Sequence, residues 1–316
     1  MKILITGGAG FIGVNLTLKL LSHKHKVTVL DNFITSAPIN INSINNQNLE
    51  FIKTDITKSL PGQVLDAKFD QIFHLACPTG VPNLTRLSEE MLLTCSSGTQ
   101  NILELAKKTG AKMLFASSSE VYGEPLETPQ KESYTGNVST IGIRSPYEEG
   151  KRFSESLITA YRRKYNINTK IVRIFNTYGP YMNFSDTRVI PNMIMSTMLH
   201  KPVVIYGKGL QRRTFCYVDD LIDGFIRIIN SHESETMFNL GSDREISILE
   251  LSQVILSITN AESKIEFRER PEHDHTSRMP DLTRVKKLGW EAKVSLKPGL
   301  VKTIEWAKKN YNNFND

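Results

Sequence analysis

Cysteine is scarce in this chain: three residues in 316, at positions 77, 95 and 216. An odd number without metal or redox spacing excludes a disulfide-framed small domain and reads as reduced thiols. Long apolar runs are missing as well, and none approaches the roughly 20 residues of a membrane-spanning helix. Met1 to Ile5 leads directly into a strand pattern, which leaves no room for a leader peptide, so the expected address is the cytoplasm. Clustered basic charge is also absent. The net charge is +6, yet the lysines and arginines are scattered and no nucleic-acid-binding motif accompanies them. The excess therefore reads as a preference for acidic ligands, with no nucleic-acid partner. Glu272-His273-Asp274-His275 suggests metal ligands, but no third and fourth partners accompany it; it reads as a solvated loop, and no metal is expected. No internal repeat is present.

What is there begins at the N-terminus. Lys2 to Thr6 is a short apolar run that ends in Gly7-Gly8-Ala9-Gly10-Phe11-Ile12-Gly13. A helical pattern follows from Val14 to Leu21, then a β-rich run from Val27 to Leu30, then Asp31 and Asn32. Strand, glycine turn, helix, strand, acid is the order of a dinucleotide-binding βαβ unit. The glycines allow a tight turn and bring a pyrophosphate close to a helix N-terminus, where unpaired amides and the dipole favour anions. Asp31 falls where a carboxylate binds the ribose hydroxyls and repels a 2′-phosphate, so NAD is expected rather than NADP.

Further strands are expected at Leu49 to Thr54, Gln71 to Ala76, Lys112 to Ala116 and Lys170 to Ile174, with a helix from Glu89 to Lys108 and an Asn-rich surface loop from Asn40 to Asn48. This alternation predicts a Rossmann-type doubly wound parallel sheet. The remaining expected NAD contacts are Asp55, Leu75, Ala76 and Lys151. Residues 1–175 read as the dinucleotide-binding domain, with a segment near 214–238 returning to it. After Phe175 come a turn at Asn176 to Pro180 and helices at Arg188 to Leu199, Val218 to Ile229 and Leu300 to Lys309. Residues 176–316 read as a smaller α/β lobe for the substrate, closed by a frayed tail from Asn310.

The chain is organised around Ser117 to Lys151. Tyr147 and Lys151 lie four apart on one helix face. An ammonium beside a phenol favours loss of its proton, which makes the pair a base toward an alcohol. Ser118, at a strand end, can hydrogen-bond to the oxygen on which charge develops. Ser119 and Glu120 complete the catalytic group. For Glu120 a structural bond to backbone is an equal alternative.

Four segments carry a resemblance that spans nearly the whole chain: His74-Leu75-Ala76-Cys77-Pro78, Ser118 to Pro125, Tyr147-Glu148-Glu149-Gly150-Lys151-Arg152, and Arg173 to Pro180. The chain resembles the extended short-chain dehydrogenase/reductases that act on nucleotide sugars, and among them most nearly the UDP-glucuronic acid decarboxylases. Related 4,6-dehydratases carry Thr-Asp-Glu where this chain has Ser118-Ser119-Glu120, simple 4-epimerases usually lack the glutamate, and the decarboxylases carry Thr-Ser-Glu. The resemblance implies bound NAD, a UDP-sugar substrate held by Asn176, Arg188, Tyr206, Gln211, Arg213 and Arg278, oxidation at C4 by Tyr147, loss of carbon dioxide, re-reduction, and a homodimer. A UDP-sugar 4-epimerase or a 4,6-dehydratase using the same tyrosine and lysine is the alternative. Cys95, where the decarboxylases have asparagine, and Tyr181, where they favour arginine, depart from the pattern.

Overall fold

The computed structural model describes residues 1–183, 187–269 and 278–311. Apolar runs become the strands of a parallel sheet, its inner strands buried on both faces and its edge strand Leu49–Lys53 partly exposed. They are β1 Lys2–Thr6, β2 Lys26–Asp31, β3 Leu49–Lys53, β4 Gln71–His74, β5 Lys112–Ser118 and β6 Thr169–Ile174. Strand Met237–Leu240 joins them, and the order across the all-parallel sheet is Met237–Leu240, β6, β5, β4, β1, β2, β3. The period of two splits the core between the faces. Ile3, Ile5, Val27, Val29 and Leu114 pack on one side with Leu221, Phe225 and Ile228 of helix Val218–Asn230. Leu4, Leu30, Ile72, Met113 and Phe115 pack on the other with Leu103 and Ile158. The strand order reverses between β1 and β4, and in open parallel sheets ligands bind beyond the carboxyl ends at such a point.

Three expectations change in detail. The helix expected from Glu89 to Lys108 is broken into Ser88–Leu93, a π-helical turn Thr94–Gly98, and Thr99–Thr109. Ser96 and Ser97 donate back to the carbonyls of Leu92 and Leu93, a competition that bends helices. The Asn40 to Asn48 segment is not all surface loop. Ile39–Asn42 forms a helical turn, and buried Asn40 donates from Nδ2 to the Ala9 oxygen at 3.1 Å, bracing the glycine turn. Thr177–Tyr178, expected as part of a turn, is a short strand paired with Cys216–Tyr217. The helix near the C-terminus spans Leu296–Asn310. Glu272 to His275 and the tail beyond residue 311 lie outside the described residues.

The long helix Ser145–Tyr165 carries Tyr147 and Lys151 and ends on Asn166 in the left-handed conformation. Its seat on the sheet is polar. Glu155 accepts from Ser117 Oγ at 2.6 Å and from Arg173 Nε at 3.0 Å, while its other oxygen accepts from Arg173 Nη2 at 2.7 Å. All three residues are buried, so helix, β5 and β6 share one neutralised cluster. Farther out, buried Glu132 accepts the Asn239 amide at 2.8 Å, tying the segment after β5 to strand Met237–Leu240.

Removing one partner of a buried pair strands the other charge. Arg173→Met should therefore destabilise the fold by about 3 to 5 kcal/mol, and Arg173→Met with Glu155→Leu by much less. Urea unfolding of the three proteins tests this; equal losses for the single and double variants would contradict it.

Candidate active site

The carboxyl ends of the strands open onto one cavity of about 1580 Å³. That exceeds the 300 to 1,000 Å³ or so of a single small-ligand site, and suits two extended ligands. The expected catalytic, cofactor and substrate residues all reach its wall: Gly7, Gly10, Phe11, Ile12, Gly13, Asp31, Asn32, Asp55, Leu75, Ala76, the Ser118 to Glu120 triplet, Tyr147, Lys151, Asn176, Arg188, Tyr206, Gln211, Arg213 and Arg278.

The glycine end is built for close backbone approach. Gly7 has φ +70°, and a Cβ on it would lie 2.7 Å from Ala76 Cα. A Cβ on Gly13 would lie 2.3 Å from the Gly7 oxygen. Helix Phe11–Ser22 starts there with no side-chain cap and no acid in its first turn, so its end suits an anion. Asp31 accepts Ala9 N at 3.0 Å on Oδ2, and Phe33 N and Ser36 Oγ, each at 2.9 Å, on Oδ1. A carboxylate has about four acceptor positions, so one is left for a ribose hydroxyl. Asp55 Oδ1 accepts the amide and hydroxyl of Thr57 while the residue lines the cavity. These residues fit a dinucleotide.

Tyr147 lines the cavity, half-buried, on the same wall as Ser118. Ser118 Oγ accepts the Glu120 amide at 3.2 Å, which leaves its proton to point outward. Lys151 is 2% exposed, donates to the Ala116 oxygen at 2.8 Å, and stands 5.9 Å from the centre of the Tyr147 ring. The expected pull of the lysine on the phenol is present but does not decide the balance. Burial raises the Tyr147 pKa and wins, while Lys151 and Ser118 pull it down. For Lys151, burial pulls the pKa down, but Cys77, Cys95, Tyr147 and Glu155 together raise it, so the ammonium form is secure.

The far end is ionic. Glu120 bridges two arginines: Arg278 Nη1 reaches its Oε1 at 3.0 Å, and Arg144 grips its Oε2 through Nε at 3.1 Å and through Nη2. Arg144 Nε also contacts Glu148 at 3.3 Å. Arg278, 4% exposed, donates from Nη1 to Ser119 Oγ at 3.2 Å. Sequence reasoning passed over Arg144; its place three residues before Tyr147, at the N-cap of the long helix, was the available signal. Asn176, Arg188 and Tyr206 are exposed along the outer wall, and Arg213 is half-buried there beside exposed Arg212. Tyr181, at φ +69°, packs against Trp306 with the rings tilted by 45° and their centres 5.0 Å apart. No cluster of potential metal ligands is found among the described residues, and no described helix is long and apolar enough to cross a membrane.

Residues 3–241 match the model of the NAD dependent epimerase/dehydratase family. The chain belongs to that family. Among curated epimerase/dehydratase relatives it is 43% identical over 307 residues to UDP-glucuronic acid decarboxylase 1 of Danio rerio, covering 96% of this chain and 72% of the relative. It is 42% identical over 302 residues to UDP-glucuronic acid decarboxylase 4 of Arabidopsis thaliana, covering 95% and 67%. The fold is similar to the UDP-glucuronic acid 4-epimerase of Bacillus cereus, solved with UDP-glucuronic acid and NAD, at TM-score 0.88 and 28% identity over 98% of this chain and 100% of that one. A Thermotoga maritima UDP-glucose 4-epimerase, solved with UDP-glucose, gives TM-score 0.89 at 28% identity with the same coverage.

Beneath the cavity, His74 is buried between Thr6 Oγ1 at 2.7 Å and Thr99 Oγ1 at 3.1 Å. Burial, aided by Lys151, lowers its pKa from 6.5 to about 3. A depressed histidine takes its proton first in the unfolded chain, so its contribution is full above pH 6.5 and is lost as pH falls toward 3. From pH 7 to 5 the loss should be about 2 kcal/mol. His74→Asn should lack that part of the slope in urea melts at the two pH values; parallel slopes would remove His74 as its source.

Proposed function

We propose that this chain decarboxylates UDP-glucuronate to UDP-xylose, using bound NAD with no net redox change. The observation that carries the reading is at the far end of the cavity. Ser119 stands where a dehydratase would place an aspartate, and a buried arginine, Arg278, is held between Ser119 and Glu120. The naming of relatives 41–43% identical over nearly the whole chain supports the same reaction.

The glycine turn, Asp31 and Asp55 hold the dinucleotide, with Leu75 and Ala76 against it. Residues 1–175, with the returning segment near 214–238, form this half. Residues 176–316 hold the UDP-sugar, with Arg188, Arg213 and Arg278 matching its phosphate and carboxylate charge through forked donors. Tyr147, assisted by Lys151 and Ser118, takes the proton of the sugar's 4-hydroxyl. A dinucleotide held by these residues would supply a reversible hydride acceptor for C4, so the reaction sequence would close with no net redox change. Once C4 is a ketone, the carboxylate is β to it. The C5–C6 bond then breaks, and its electron pair delocalises onto the C4 oxygen, where the Tyr147 and Ser118 hydroxyls hold it. Ser119, its oxygen engaged by Arg278, relays to C5 a proton that water supplies, taking one from water as it gives its own. Glu120 holds Arg278 in place for that step.

The chain is read as a cytoplasmic homodimer. Leu92 on helix Ser88–Leu93 is 44% exposed, and Phe153 on the long helix packed beside it is 51% exposed; exposed large apolar side chains on two packed helices suit a second copy's surface. Phe153→Glu should shift sedimentation from dimer to monomer, and a wild-type monomer would end the proposal.

A proton NMR time course with UDP-glucuronate and NAD should show a pentose nucleotide with release of carbon dioxide. UDP-galacturonate formed without gas would establish the epimerase instead. Tyr147→Phe should lower turnover by at least about a hundredfold while NAD binding persists; full activity in that variant would overturn the mechanism.

A further inference from the structure

Cys77 and Cys95 are 18 positions apart in the chain, and their sulfurs are 3.9 Å apart in the fold. Cys77 is on the loop after β4, lines the cavity and is half-buried; Cys95 is 2% exposed within the π-helical turn Thr94–Gly98. Cys95 also presses on the long helix: a Cβ at Gly150 would lie 3.2 Å from both its Cβ and its Sγ. One thiol therefore faces the ligand space, and the other backs onto the Tyr147–Lys151 helix. We propose that Cys77 and Cys95 are a modification site, a dithiol that low-molecular-weight disulfides oxidise reversibly to an internal disulfide, loosening the dinucleotide end of the cavity.

The chemistry balances in two exchanges. Cys77, reached through the cavity, has its pKa raised by the hydrogen bond to Cys95 and by burial; it attacks the small disulfide as its proton passes along that bond, forming a mixed disulfide and releasing one small thiol. Cys95 then attacks Cys77 Sγ, forming the internal bond and releasing the second thiol. Two protein thiols lose two electrons and two protons, and the small disulfide is reduced to two thiols. Cys95 is suited to the second attack: the hydrogen bond from Cys77 lowers its pKa to about 6 against burial, with Lys151 and Ser154 adding to the effect. Cys216, buried and pushed up by burial and by Asp220, is an inert internal control.

A disulfide needs sulfurs about 2.05 Å apart, so the two must close by roughly 2 Å. The loop at Cys77 is the part drawn in, because Cys95 is wedged against Gly150. Ala76, its neighbour, touches Gly7 backbone to backbone and is held by Thr6 Oγ1 at 3.2 Å. Moving Cys77 toward the π-helical turn pulls Ala76 from Gly7 and loosens the turn that holds the pyrophosphate.

The test uses the full chain and glutathione disulfide. After incubation, free thiols are alkylated, and non-reducing peptide mass analysis seeks a Cys77–Cys95 cross-link. Calorimetry titrates NAD into the reduced and oxidised forms. The cross-link should form with Cys216 untouched, NAD should bind about tenfold more weakly, and dithiothreitol should reverse both. Cys77→Ser should show the same NAD affinity before and after the oxidant, and Cys95→Ser, lacking the second thiol, should stop at a glutathione adduct on Cys77. On the wild-type chain, a stable glutathione adduct without the cross-link, or a cross-link that leaves NAD affinity unchanged, would overturn the proposal. Neither readout uses the sugar, so failure here is distinguishable from a wrong substrate.

Discussion

One buried carboxylate sets the geometry on which the site depends. Glu155 takes a bidentate grip from Arg173 on β6 and a third bond from Ser117 on β5, fixing the long helix in rotation and in height against the sheet. Lys151, one turn earlier, then has only one place for its ammonium: against the Ala116 carbonyl and over the Phe115 ring, 4.7 Å from its centre. Tyr147, a further turn on, emerges beside Ser118 at the mouth of β5. Apolar contacts alone would permit the helix to slide or roll at small cost, because hydrophobic attraction is non-directional. The fork of the guanidinium is directional.

The cavity has two ends with different physics. At the glycine end the backbone itself is the binding surface: Gly7 and Gly13 leave no room for a Cβ, and the helix terminus offers a partial positive charge without a lysine or arginine. At the far end recognition is ionic, and Glu120 restrains Arg144 and Arg278 together. With Glu148 also on Arg144, two carboxylates and two guanidiniums balance there, so the far end offers directed forked donors rather than net positive charge. The Glu120 carboxylate engages Arg144 and Arg278, which both line the cavity, and Arg278 in turn reaches Ser119.

Between the ends, burial and charge compete. Desolvation raises the Tyr147 phenol and tends to lower Lys151, and each is countered by the other. The polar atoms that take part in this balance include the two sulfurs of Cys77 and Cys95, in a region otherwise walled by Phe115 and the buried strand ends. The π-helical turn that holds Cys95 comes from serine hydroxyls competing for helix carbonyls, and it carries this sulfur to within 3.9 Å of its partner.

The sequence by itself determined what rests on local pattern. Apolar runs of five or six residues, glycine spacing, the acid after the second strand and the four-residue interval between Tyr147 and Lys151 all act within one or two turns or strands, where period and sterics decide the outcome. The convergence of these pieces followed, because a parallel sheet sends every loop after a strand to the same edge. Only the tertiary structure decided the pairings between distant residues. Arg173 with Glu155, Arg144 and Arg278 with Glu120, Asn40 with Ala9, and Cys77 with Cys95 have no spacing rule, since their partners meet through the stacking of separate elements. The net direction of the Tyr147 pKa belongs to the same class: desolvation depends on everything packed around a group, and no motif records that.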